Sequence, residues 1–78
     1  MSDLEKYIAC FSDSLQVGAS DLSNLSYQDI PAWDSLGHMN LMASLEEEFS
    51  IELDIDDIID FSSFERGKLI LERYGVKF

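Results

Sequence analysis

Leu4, Ile8, Phe11 and Leu15 recur at intervals of four, three and four residues, with Tyr7 beside them. Each residue of an α-helix turns by about 100°, so this spacing gathers the four on one side and predicts a helix over residues 3–16 with an apolar stripe. The pattern returns twice. From Asp34 or Ser35 to Phe49, the residues His38, Leu41, Met42, Leu45 and Phe49 share one face. From Ser62 or Ser63 onward, Phe64, Gly67, Ile70, Leu71 and Tyr74 share another, and Gly75 is a natural stop. Ser62 and Glu65 stand three apart, as in a capping box whose side chains satisfy the free N–H groups of a helix start. Ile51, Leu53 and Ile55 alternate with acids, which alone would suit a strand, but no partner strand is evident. An extended connection into a one- or two-turn helix around Asp57 to Asp60 is the expectation. Residues 17–33 are rich in Gly, Ser, Asp and Asn, carry the only proline, and read as a long connection pinned by Leu22, Leu25, Ile30 and Trp33. The expected fold is all-α: a small bundle of three main helices plus one short helix, with a long loop between the first and second helices, forming one domain over residues 1–78.

With 78 residues, 46% of them hydrophobic, the chain supports one modest core. Domains this small keep about 3 to 5 kcal/mol of net stability unless stapled. A single cysteine excludes an internal disulfide, and with a single histidine it does not supply the usual zinc ligand set, so no metal is expected. Cys10 lies well to the side of the first stripe and reads as a small flanking residue. The lone cysteine suits a reducing compartment, and the start Met1-Ser2-Asp3 lacks the basic then apolar run of a secretory leader. No run approaches the roughly 18 apolar residues of a membrane span. A cytoplasmic monomer is expected. Net charge is −11, and no Lys or Arg occurs between Lys6 and Arg66. Nucleic acid and anionic membrane surfaces would repel such a chain, whereas a protein with a basic patch would attract it.

The second helix carries a further apolar face. Leu36, Met39 and Ala43 gather more than about 100° from its core stripe, as in a docking surface. At the head of this face lies Asp34-Ser35-Leu36, a triplet that also occurs at Asp13-Ser14-Leu15. The two copies differ in position. Ser14 falls near the end of the first helix, where it reads as ordinary helix surface. Ser35 follows a proline-containing loop and opens a helix, where free N–H groups and the positive end of the macrodipole favour a phosphate ester. A plain capping role for Asp34 or Ser35 is compatible with this.

The stretch WDSLGHMNLMASLEEEFSIEL, with a helix before it and a short then a longer helix after it, resembles an acyl carrier protein, and the resemblance covers nearly the whole chain. It implies that Ser35 carries a 4′-phosphopantetheine arm, attached from coenzyme A by a phosphopantetheinyl transferase, whose thiol holds an acyl group as a thioester. It also implies that the chain performs no catalysis itself and presents its cargo to other enzymes. Asp34 and Leu36 would be the recognition neighbours of Ser35, and Met39, Asn40, Ala43, Glu46 and Glu47 would face partners along the second helix. Those partners would be an acyl- or aminoacyl-loading ligase and acyltransferase or synthase enzymes with basic docking patches. Gly37, His38 and Asn40 stand where many fatty-acid synthesis carriers have acidic residues. Trp33-Asp34 stands where peptidyl carriers have Gly-Gly or Gly-Asp. Both departures point to a specialised pathway rather than housekeeping fatty-acid synthesis, with an aminoacyl or peptidyl carrier bearing the same arm as the alternative.

Three other readings compete. Asp34, Ser35 and His38 suggest a hydrolytic triad, but His38 projects to the core stripe and no oxyanion hole is evident, so a hydrogen-bonded core histidine is expected. Asp54, Asp56, Asp57 and Asp60 suggest calcium, yet the segment lacks the glycine at the sixth position and the glutamate at the twelfth of an EF-hand loop. The third is an acidic helical adaptor that docks through Leu36, Met39 and Ala43 and is never modified.

Overall fold

The computed structural model describes residues 2–78, with side chains at all of these except 19–21. The fold is all-α, as expected: α1 (Asp3–Leu15), α2 (Ser35–Phe49), α3 (Ile55–Asp60) and α4 (Phe64–Glu72), with a 3-10 helix at Ala19–Asn24. Among the described residues, no helix is long and apolar enough to cross a membrane.

The capping box lies at a different helix from the one expected. Ser2 caps α1: its hydroxyl accepts the Glu5 N–H at 3.2 Å, and the Glu5 carboxylate accepts the Ser2 N–H. At α4 the cap is Ser63, which accepts the Arg66 N–H at 3.0 Å. Ser62 is occupied otherwise. Its carbonyl accepts the Tyr27 N–H at 2.7 Å, while the Phe64 N–H donates to the Leu25 carbonyl, forming an isolated antiparallel bridge of Ser26 with Ser63. That pairing holds Ser62 and Ser63 extended, so the helix begins one residue later than Ser62 would allow.

The buried face of α1 is also turned from the expected stripe, by about 60° at 100° per residue. Tyr7, Cys10, Phe11 and Leu15 are buried, whereas Leu4 is 37% exposed and Ile8 half-buried. Tyr7 draws the helix round: its hydroxyl donates to the Phe64 carbonyl at 2.7 Å, which makes a polar aromatic a satisfied core residue. Cys10, 4% exposed, is therefore core rather than flank.

The long connection is ordered by its own apolar residues. Leu22, Leu25 and Trp33 are buried, and Ile30 packs against the core. The short helix starts at Ile55, two residues before the expected Asp57, and none of its residues is buried. An aromatic cluster forms the centre. Phe11 stands 5.4 Å edge-on to Trp33 and 5.1 Å from Phe64, and Tyr7 lies 4.8 Å from Phe64. Gly67 lets α4 approach this cluster: a Cβ there would overlap the Phe61 ring and the Tyr7 hydroxyl.

Candidate functional site

Asp34, not Ser35, caps α2. With an extended backbone it accepts the Gly37 N–H on its carboxylate at 2.9 Å and the His38 N–H on its carbonyl at 2.8 Å. Ser35 is therefore the first helical residue, exposed and free of the capping role. The approach to this terminus is tight. A Cβ on Gly37 would overlap the Ala32 carbonyl oxygen, so glycine lets the preceding turn fold onto the first turn of the helix. That turn is closed by the Trp33 N–H to Ile30 carbonyl bond and the Gln28 N–H to Trp33 carbonyl bond, with Gln28 in the left-handed region at φ 69°.

Beside Ser35 opens a cleft of about 340 Å³. One wall is α2, through Ser35, His38 and Met39; the other is α3, through Ile58 and Ile59. Tyr27, Phe61 and Ser62 complete it. Apart from two hydroxyl-bearing serines, the Tyr27 phenol and the His38 ring, the lining is apolar: Met39, Ile58, Ile59 and Phe61. Such a surface favours an apolar occupant.

His38 joins the two walls. The Trp33 indole N–H donates to its Nδ1 at 3.0 Å, and Nε2 lies 2.7 Å from the Ile58 carbonyl, to which it donates. Accepting on one nitrogen and donating from the other defines a neutral ring protonated at Nε2. Both nitrogens are thus engaged, and the Asp34 carboxylate is held by the Gly37 N–H rather than by the imidazole. Asp34, Ser35 and His38 share one turn of helix without forming a relay. The expected hydrogen-bonded core histidine is what the fold holds, 9% exposed.

The other ties of α3 lead to α4 and its C-terminal end. Arg66 Nε donates to Asp60 at 3.0 Å, Arg73 donates to Asp57 at 2.8 Å, the Tyr74 hydroxyl also donates to Asp57, and the Asp54 N–H donates to the Tyr74 oxygen at 3.0 Å. These partners draw the acids apart. Among the described residues no group of three or more His, Cys, Asp or Glu side chains is arranged to hold a metal ion.

Of the residues expected to face partners, Leu36 is 72% and Met39 53% exposed, and Asp34, Asn40, Ala43 and Glu47 are exposed as well. Glu46 is half-buried and accepts the Leu53 N–H at 2.8 Å, which fixes the connection into α3. The structure adds Ile59, 75% exposed, which lines the cleft with Met39, and leaves Ile55, one turn earlier on α3, 74% exposed. By sequence, Ile55 read as extended chain, and Ile59 lay in the short helix without an assigned exposed face. The spacing of Ile55, Ile58 and Ile59, i, i+3 and i+4, was the signal for a helical face.

No family model, curated protein or solved structure matches the chain. The resemblance to acyl carrier proteins rests on the residues quoted above.

Proposed function

We propose that the protein is a free-standing acyl carrier protein of a specialised pathway in the cytoplasm, with 4′-phosphopantetheine joined to Ser35. One observation carries the reading: an exposed hydroxyl relieved of capping stands as the first residue of a helix, at the mouth of an apolar cleft. The residues present fit the arm. Ser35 Oγ forms the phosphodiester with the pantetheine phosphate of coenzyme A, and adenosine 3′,5′-bisphosphate leaves, so the hydroxyl proton is the only other loss. The start of α2 favours the resulting negative charge, because its first N–H groups and its dipole lie there. Once bound, the arm supplies a thiol that holds an acyl group as an activated thioester. The chain itself anchors, shelters and presents. Met39, Ile58, Ile59 and Phe61 offer apolar surface within reach of Ser35, and tethering raises the cargo's effective concentration at whichever enzyme is docked.

Leu36 beside Ser35 in the chain, and Met39 and Ile59 on the two walls of its cleft, offer an exposed apolar strip in a chain of net charge −11. It suits short-lived docking to the transferase, to a loading ligase and to acyltransferase or synthase enzymes, steered by their basic patches. The same strip favours a second reading, the acidic adaptor that is never modified. Intact mass spectrometry after incubation with coenzyme A, magnesium and a broad-specificity phosphopantetheinyl transferase separates them. The carrier gains one arm on wild type and on Ser14→Ala, and none on Ser35→Ala. Folded wild type that accepts no arm from any transferase tried leaves only the adaptor.

A further inference from the structure

We infer that His38 is a proton-sensitive latch: its neutral ring ties α3 to Trp33 across the cleft beside Ser35, and protonation releases α3 and opens the cleft. That the opened cleft then admits the cargo rests on the carrier reading; the latch itself does not.

The geometry needs the neutral ring. Nδ1 is an acceptor only while unprotonated, and its donor is the indole N–H of a fully buried tryptophan. A proton on Nδ1 would set two N–H groups against each other at 3.0 Å. Trp33 has no room to withdraw, held between Phe11 at 5.4 Å and Tyr27 at 6.2 Å, both edge-on. The imidazole does have an exit, because it lines the cleft. Turning that way breaks the bond from Nε2 to the Ile58 carbonyl.

That bond matters more to α3 than its single count suggests. Ile58 lies in the last turn of a six-residue helix, where carbonyl groups lack intrahelical partners. His38 is its cap. No side chain of α3 is fully buried: apart from this cap the helix is held by the partly buried Ile58 against the core and by polar ties to α4 and the C-terminal end. Losing the cap frees the wall formed by Ile58 and Ile59.

No other titratable group takes over the role. Tyr27 stands edge-on to the ring at 5.3 Å, and the rings of Trp33 and Phe61 lie at 6.2 and 6.1 Å. On α2, Asp34 is engaged by Gly37. On α3, Asp57 is engaged by Tyr74 and Arg73, Asp60 is engaged by Arg66, and Asp56 is exposed. In the connection, Asp29 is engaged by the Ser26 N–H. On α1, the Tyr7 hydroxyl is turned to the Phe64 carbonyl. Histidine is also the side chain whose charge ordinarily changes between about pH 5 and pH 8.

The chain has one histidine and one tryptophan, so both report without assignment. The test uses the full, unmodified chain. At about pH 7.5, ¹⁵N shifts of the imidazole should show the Nε2–H tautomer. Between about pH 7.5 and 5.5, amide protection at Ile58, Ile59 and Asp60 should fall by about tenfold relative to α1 and α4. Over the same range, Trp33 fluorescence should drop and uptake of the neutral probe N-phenyl-1-naphthylamine should rise. His38→Gln, uncharged throughout, should lose all three pH dependences. An Nδ1–H tautomer, unchanged α3 protection, or a His38→Gln protein that keeps the dependence would overturn the latch, and the first two are read on wild type even if the variant fails to fold. No arm is attached in these measurements, so their failure and a failure of arm attachment are separate results.

Discussion

Gly67 sits in the middle of α4, where alanine would ordinarily be the better residue by about 1 kcal/mol. The structure predicts the opposite sign for Gly67→Ala. The added methyl would overlap the Phe61 ring and the Tyr7 hydroxyl, both in the fully buried core. Overpacking of this kind costs about 1 to 3 kcal/mol. If Tyr7 retreats, its bond to the Phe64 carbonyl is lost and a buried acceptor goes unpaired, for about 1 to 3 kcal/mol more. Setting the propensity term against these leaves a net destabilisation of about 3 kcal/mol, close to the whole stability of a domain this size. Urea unfolding followed by circular dichroism should find Gly67→Ala largely unfolded near neutral pH. Gly18→Ala is the control: nothing lies within 4 Å of its Cβ and its φ is −75°, so it should be stabilised by about 0.4 to 1 kcal/mol. A Gly67→Ala protein as stable as wild type would mean that α4 does not pack on Tyr7 and Phe61 as described.

Burial, with Glu65 and Cys10 nearby, pushes the Tyr7 phenol above its ordinary range, and burial likewise pushes the Cys10 thiol up. The folded chain thus keeps protons that the unfolded chain releases near pH 9 and 10, so stability is complete below those values and falls above them, for Tyr7 by about 1.4 kcal/mol per pH unit above pH 10; in urea titrations Tyr7→Phe should be weaker near neutrality yet decline less steeply above pH 10. Asp34→Ala should cost about 1 kcal/mol of stability by removing the cap of α2, whereas Asp34→Asn and Ser35→Ala should each change it by less than about 0.5 kcal/mol; a Ser35→Ala loss matching that of Asp34→Ala would return the capping role to the serine. With a net charge of −11 and three ion pairs among the described residues, screening of self-repulsion should outweigh screening of the pairs. The melting temperature should therefore rise between about 0.01 and 0.5 M sodium chloride, and a fall would show that the pairs dominate.

What the sequence made legible was local. The three main helices follow from apolar spacing, and the position of Ser35 follows from a turn-forming segment running into such a spacing. Contacts between distant segments were not legible. Nothing near Tyr7 announces that its hydroxyl meets the Phe64 carbonyl, 57 positions away, and that contact turned α1 and buried Cys10. Ser62 and Ser63 are equivalent caps by composition, and the choice was made by the backbone pairing with Ser26. His38 was placed on the core face by its spacing, but its partner Ile58, 20 positions on, came only with the fold. The short helix was legible as one or two turns around Asp57 to Asp60, but its start at Ile55 and its place as the second wall of the cleft were not. The alternating apolar pattern of Ile51, Leu53 and Ile55 hid the first, and the second is a contact with a distant segment.

The site divides into a fixed half and a yielding half, and the division follows from which elements hold each. Ser35 stands on α2, whose start is bound to the preceding connection by the Asp34 cap and by the close approach of Gly37 to Ala32. That connection is pinned by buried Trp33, Leu25 and Leu22, and α2 packs along α1 through buried Leu41, Met42 and Leu45. None of these contacts involves α3. The facing wall has no fully buried side chain: it relies on the His38 cap, on Ile58 partly buried against the core, and on polar ties to α4 and the C-terminal end. Local opening draws on the segments with the fewest buried apolar contacts, so α3 should open well below the free energy of global unfolding. Under the proposed carrier function, the attachment point must keep its geometry for the enzyme that modifies it, while a cleft that takes up and yields an apolar group must change shape. Here the two demands fall on different helices, and His38 bonds to both sides.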